Sequence, residues 1–132
     1  MIDFTRPTAH PKARLFRKLA LLIFGLYLVL LTYLSLVPTV SSAQDISDKL
    51  LHFLAYGGLT ALAAAAFPKL KMIYLFLLAA MVGALLEGGQ GLLAIGRTAS
   101  LGDQFANMIG AALTLFIWAC LAALWAALKR GS

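Results

Sequence analysis

Long apolar runs alternate with short polar stretches along this chain. From Leu19 to Val37 nineteen consecutive residues carry no charge, close to the roughly 20 that a helix needs to cross a hydrocarbon core. Pro38 then predicts the end of that helix. A second helix is predicted from Asp48, with Ser47 as its N-cap, through Leu50 to Phe67, and its main polar insertions are His52 and Tyr56. The basic turn Pro68-Lys69-Leu70-Lys71 leads into a third span whose apolar run ends at Leu86. At 1.5 Å per residue this run reaches about 25 Å, short for a full crossing, so Glu87 is expected at or slightly below the headgroup level. Gly88, Gly89 and Gly91 follow, then the brief apolar piece Leu92 to Ile95, Gly96 and Arg97. Too short to span, this piece is expected to be a re-entrant or interfacial segment, which membrane depth permits only where it packs on protein or lines a wet cavity. Ser100-Leu101-Gly102-Asp103 has the S-x-x-D form of a capping box. It predicts a fourth helix running to Leu128.

Composition agrees with four spans. Of the 132 residues 62% are hydrophobic and 12% charged, well above the roughly 45 to 50% apolar content of soluble domains. The net charge of +6 would suggest nucleic acid in a soluble protein, but here Lys and Arg sit at the ends of apolar runs. They act as topology signals and contacts to anionic phospholipid headgroups. Residues 1–18, the turn 68–71 and the basic end at Lys129 and Arg130 carry nine Lys and Arg on one side, against Lys49 and Arg97 on the other. The positive-inside rule therefore makes both termini cytoplasmic. The expected architecture is all-α: an integral membrane four-helix bundle over residues 19–128, flanked by basic segments 1–18 and 129–132. A cleaved signal peptide ending near Val40-Ser41-Ser42-Ala43 is the rival for the first helix, but its apolar segment exceeds the usual 7 to 15 residues or so. A lone cysteine, Cys120, excludes an internal disulfide. Gly102, Ala106 and Gly110 recur every four residues, a stripe that lets a helix approach closely, within one bundle or in a homodimer.

The candidate chemistry lies on the side poor in positive charge. Asp48 and His52 share a helix face, with Tyr56 one turn deeper, and a carboxylate beside an imidazole orients the ring and raises its basicity. A helix N-terminus at the interface, with Asp48 favouring the dipole, explains the same pair without chemistry. Glu87 and Gln90 share a face if the third helix continues past its glycines, which Gly88 and Gly89 weaken. Arg97 has the planar fork that suits phosphate, or else pairs with Glu87 or Asp103 to hold the loop. Asp103 has a capping role available to it. Asn107 lies one turn into the membrane and needs an interhelical partner, by depth Tyr56, His52 or Glu87. Together these residues predict one polar site at the outer surface.

The same residues carry a resemblance. D-K-L-L-H-F-L-A-Y from Asp48 to Tyr56, E-G-G-Q from Glu87, Arg97, and S-L-G-D-Q-F-A-N-M-I-G from Ser100 to Gly110 together resemble the VanZ-like family of small bacterial membrane proteins, named after a teicoplanin-resistance protein. The resemblance spans roughly residues 45–115, and the first helix matches in position only. It implies a compact helical membrane domain of the cell envelope, in the bacterial inner (plasma) membrane, where the outer surface that the positive-inside rule assigns to the polar site faces the periplasm or exterior. The pattern of membrane-surface His and acids is also similar to that of proteins proposed to exchange or hydrolyse lipid phosphate headgroups.

Three functions are weighed. In the first, an enzyme, Arg97 and Lys49 hold the phosphate of a phospholipid or polyprenyl carrier, and His52, oriented by Asp48, is base or nucleophile. Glu87 or Asp103 is then the acid partner, while Tyr56, Gln90 and Asn107 position the group. A variant adds a divalent metal such as Mg²⁺ or Ca²⁺ bridging Asp48, Glu87 and Asp103. In the second, the same residues bind a lipid or antibiotic, or carry a lipid between leaflets, without bond breaking. In the third, the polar groups only lock the bundle.

Overall fold

The computed structural model describes residues 11–37, 46–93 and 99–131. It contains α1 (Pro11–Leu36), α2 (Ile46–Ala66), α3 (Met72–Leu93) and α4 (Leu101–Leu128), and the described residues hold no strand. All four are long and apolar enough to cross a membrane. Large apolar side chains face outward along them, among them Leu26 and Val29 on α1, Leu85 on α3 and Phe105 and Ile109 on α4. A surface so continuously apolar is stable against lipid rather than water, as the four uncharged runs predict.

Three boundaries differ from expectation. α1 is already helical at Pro11, the first described residue, and includes the basic stretch Lys12 to Lys18 that was expected to flank it. α2 is already helical at Ile46, so Ser47 lies inside its first turn and not ahead of it. α3 continues through Gly88, Gly89 and Gly91 to Leu93, although each glycine costs about 1 kcal/mol relative to alanine in a helix interior. Tertiary contacts override that propensity. The Gln90 side chain donates to the Ser35 carbonyl at 2.8 Å, and a Cβ on Gly91 would lie 3.2 Å from that of Ala99. Leu92 and Leu93 are therefore helical, and the rest of the expected re-entrant segment, residues 94–98, lies outside the described residues.

α2 and α3 each touch the other three helices, with the most extensive packing between α2 and α4, while α1 and α4 do not pack against each other among the described residues. The end of α1, the start of α2, the end of α3 and the start of α4 meet, as in an up-and-down bundle. In lipid, helix association depends on close packing and interhelical hydrogen bonds, and both are present. Tyr27 Oη donates to the Ala55 carbonyl at 2.8 Å, tying α1 to α2. Where α4 crosses α2, a Cβ on Gly110 would collide with the Phe53 carbonyl oxygen, and one on Gly57 would come within 3.0 Å of Thr114 Oγ1. The stripe of Gly102, Ala106 and Gly110 thus meets α2 within the chain. The opposite end of the bundle is apolar, with Ala63, Ala64, Leu75 and Leu115 in one cluster and Phe24 edge-to-face with Phe67 at 5.4 Å. Lys129 Nζ lies 5.1 Å from the Trp125 ring centroid, a pairing suited to a membrane interface.

Gly110→Ala is expected to destabilise the fold, because a backbone carbonyl cannot rotate out of the way as a side chain can. Gly88→Ala, at an exposed helical position with open space around it, is expected to stabilise by about 0.5–1 kcal/mol. Thermal unfolding of both variants in detergent checks the opposite signs.

Candidate functional site

The polar end is built from α2, α3 and α4. His52 and Asp48 lie one turn apart at the start of α2. Asp103 and Asn107 occupy the same relation on α4, and Glu87 and Gln90 face them from the last turns of α3. Glu87, Gln90, Asp103 and Asn107 are all buried, so each needs a partner inside the bundle.

Ser100 begins α4 as predicted: its backbone is extended, and its Oγ accepts from the Asp103 N–H at 3.3 Å. The second half of the capping box is not made by Asp103. The Ser100 N–H instead donates to Glu87 Oε2 at 3.0 Å, so a carboxylate from a neighbouring helix completes the cap. This leaves the Asp103 carboxylate without its expected structural duty. Its Oδ1 is buried and has no hydrogen-bond partner; the Lys49 ammonium, on a half-exposed side chain, lies 3.8 Å away, beyond hydrogen-bond reach.

His52 is held from the inner side. Its Nδ1 lies 3.0 Å from Asn107 Oδ1 and 3.8 Å from Glu87 Oε1, and its ring is near-parallel to that of the buried Tyr56, with centroids 6.5 Å apart. The relay behind Asn107 fixes the direction of its contact with His52. The Ala80 carbonyl can only accept, so it takes the Gln104 Nε2 donor at 3.0 Å and turns Gln104 Oε1 toward Asn107 Nδ2, 3.5 Å away. Asn107 then presents its oxygen to His52, which makes Nδ1 the donor of that contact. Gly83 makes room for this relay, since a Cβ there would lie 2.6 Å from Gln104 Oε1 and 3.0 Å from Asn107 Nδ2.

Of the residues singled out from sequence, Asp48, Lys49, His52, Glu87, Asp103 and Asn107 come together, and Tyr56 lies one turn beneath His52. Asn107 takes His52 as its partner. Gln90 is buried behind the site with its amide bonded to α1, and Arg97 falls outside the described residues. The triad of potential ligands also differs from the expected one. Asp48, His52 and Asp103 each offer an atom within 4.8 Å of the others, whereas Glu87 is turned to Ser100 and His52. Gln104 and Gly83 were not among the residues singled out. The signal for Gln104 was its i, i+3 spacing from Asn107, which puts two amides on one helix face.

Comparison of the chain with protein-family models, curated proteins and solved structures found no match.

Replacing Glu87 separates its charge from its capping role. Glu87→Gln keeps an acceptor for the Ser100 N–H and is expected to unfold close to wild type. Glu87→Leu leaves that N–H unsatisfied and is expected to lose about 1–3 kcal/mol, read from reversible unfolding in mixed detergent.

Proposed function

We propose that this is a VanZ-like membrane protein of the bacterial cell envelope that acts on the phosphate headgroup of a phospholipid or polyprenyl-phosphate carrier at the outer leaflet. The observation that carries the reading is His52, its Nδ1 held 3.0 Å from Asn107 Oδ1, beside Asp48, Asp103 and Lys49. An oriented imidazole next to a cation and acids at a headgroup-level helix end has the parts that hydrolysis or headgroup exchange needs.

In this scheme Lys49, joined on sequence grounds by Arg97, binds the phosphate oxygens. His52 Nε2 takes the proton of an attacking water or acceptor hydroxyl. The attacking oxygen then bonds to phosphorus as the bond to the leaving alcohol breaks, and that alcohol oxygen receives the proton from the imidazolium. Glu87 holds the start of α4 against α3, so that Asp103 and His52 keep their separation. The excess of Lys and Arg at the 68–71 turn and at both chain ends supports a cytoplasmic location for these segments, with the site facing the periplasm or exterior.

The test is turnover of defined lipids by protein reconstituted in vesicles of phosphatidylglycerol and a polyprenyl phosphate. His52→Ala is expected to abolish phosphate or headgroup release while retaining fold and lipid co-purification. Movement of labelled lipid between leaflets with no chemical change would replace the enzyme with a carrier. Neither turnover nor lipid movement by the wild type, with His52→Ala losing the fold alone, would leave only a bundle-locking role. Sidedness is checked in a Cys120→Ser background: a cysteine at Gly88 is expected to react with a membrane-impermeant thiol reagent added outside the cell, and a cysteine at Lys69 only after lysis.

A further inference from the structure

We infer that Asp48, His52 and Asp103 form a binding site for one divalent cation of the Zn²⁺ or Mn²⁺ class. Their ligand atoms lie within 4.8 Å of one another. Donor atoms around a four-coordinate ion at about 2.0–2.2 Å are roughly 3.3–3.6 Å apart, so small side-chain rotations close the difference. Two independent observations point into this space. Asp103 Oδ1 is buried without a hydrogen-bond donor, although its helix cap would ordinarily have used the carboxylate and Glu87 has taken over that duty. His52 is oriented as metal-binding imidazoles commonly are, with one ring nitrogen, Nδ1, held 3.0 Å from the side-chain oxygen of Asn107.

The donor set selects the ion. Three carboxylates, as in the set Asp48, Glu87 and Asp103, would favour Mg²⁺ or Ca²⁺ through hard oxygen ligands. Exchanging Glu87 for an imidazole moves the preference to ions that accept nitrogen. Three protein ligands also leave a coordination position open, the form found where a metal meets a water or a substrate oxygen. Lys49 is the competitor, since its ammonium lies 3.8 Å from Asp103 Oδ1 on a side chain 43% exposed. An ion taken up between the carboxylates releases Lys49 outward, toward an anionic headgroup. The inference rests on the phosphate reading only for what the ion would do there, and it changes one role in it: with the ring bound to an ion, His52 would no longer be the base, and an ion-bound water would supply the attacking oxygen. The site itself is tested with no lipid present, so either can fail alone.

The full chain, purified in detergent and stripped with a chelator, is titrated with Zn²⁺ by calorimetry and with Mn²⁺ by electron paramagnetic resonance, with Mg²⁺ as competitor. A single ion per chain is expected, poorly displaced by Mg²⁺. His52→Ala and Asp103→Asn are each expected to weaken binding by about 10-fold or more, and Asn107→Leu by about 10 to 100-fold through loss of ring orientation. Lys49→Ala is expected to tighten binding, which a purely structural lysine–aspartate pair does not predict. Circular dichroism identifies any variant that fails to fold, and Asp48→Asn then takes its place in the series. Absence of stoichiometric uptake by the wild type, or uptake indifferent to His52→Ala and Asp103→Asn in folded protein, overturns the site.

Discussion

The hydrogen bond from the Ser100 N–H to Glu87 Oε2 is the contact on which the polar end of this bundle depends. A helix N-terminus carries N–H groups with no intrahelical acceptor, and those that are buried must find one elsewhere in the protein. Satisfying one of them from α3 rather than from α4 itself joins the two helices at the level of the site. It also sets Glu87 close to His52 and spares Asp103. Had Asp103 closed its own capping box, its carboxylate would be turned to the Ser100 N–H and the cluster with Asp48 and His52 would lack its third member.

The remaining interhelical bonds follow the same logic. Tyr27 to Ala55, Gln90 to Ser35 and Gln104 to Ala80 each send a side-chain donor to a backbone carbonyl of another helix. Among apolar surfaces facing lipid on one side and each other on the other, such directional contacts distinguish one register from the next. Leucine-rich packing alone would not. The same bonds give the site its rigidity, because the amides that align the helices also orient Asn107 and, through it, the imidazole.

Much of this was legible in the sequence. The four uncharged stretches located the spans, Ser100 announced α4, and the depth of the charged residues brought His52 and Glu87 to one end, where the structure sets them 3.8 Å apart. What escaped was governed by tertiary contact. The glycines after Glu87 suggested a broken helix, since their local cost is visible in sequence while the Gln90 bond that outweighs it is not. Gln104 looked like an ordinary polar residue beside Asp103, because its partner Ala80 lies on a different helix and contributes only a backbone oxygen. The borrowed cap was hidden for the same reason: S-x-x-D is satisfied on paper within α4, and nothing local reveals that Glu87 competes for the N–H.

The crossing of α2 and α4 at Gly57 and Gly110 limits how this protein can change over generations. Most core clashes can be relieved by a second substitution that trims the opposing side chain. At Gly110 the opposing atom is the Phe53 main-chain oxygen, which every amino acid carries, so no suppressor at position 53 can restore the fit. The crossing is thus held fixed at Gly110, whereas at Gly57 the nearest atom is the Thr114 hydroxyl, on a side chain that a second substitution can trim.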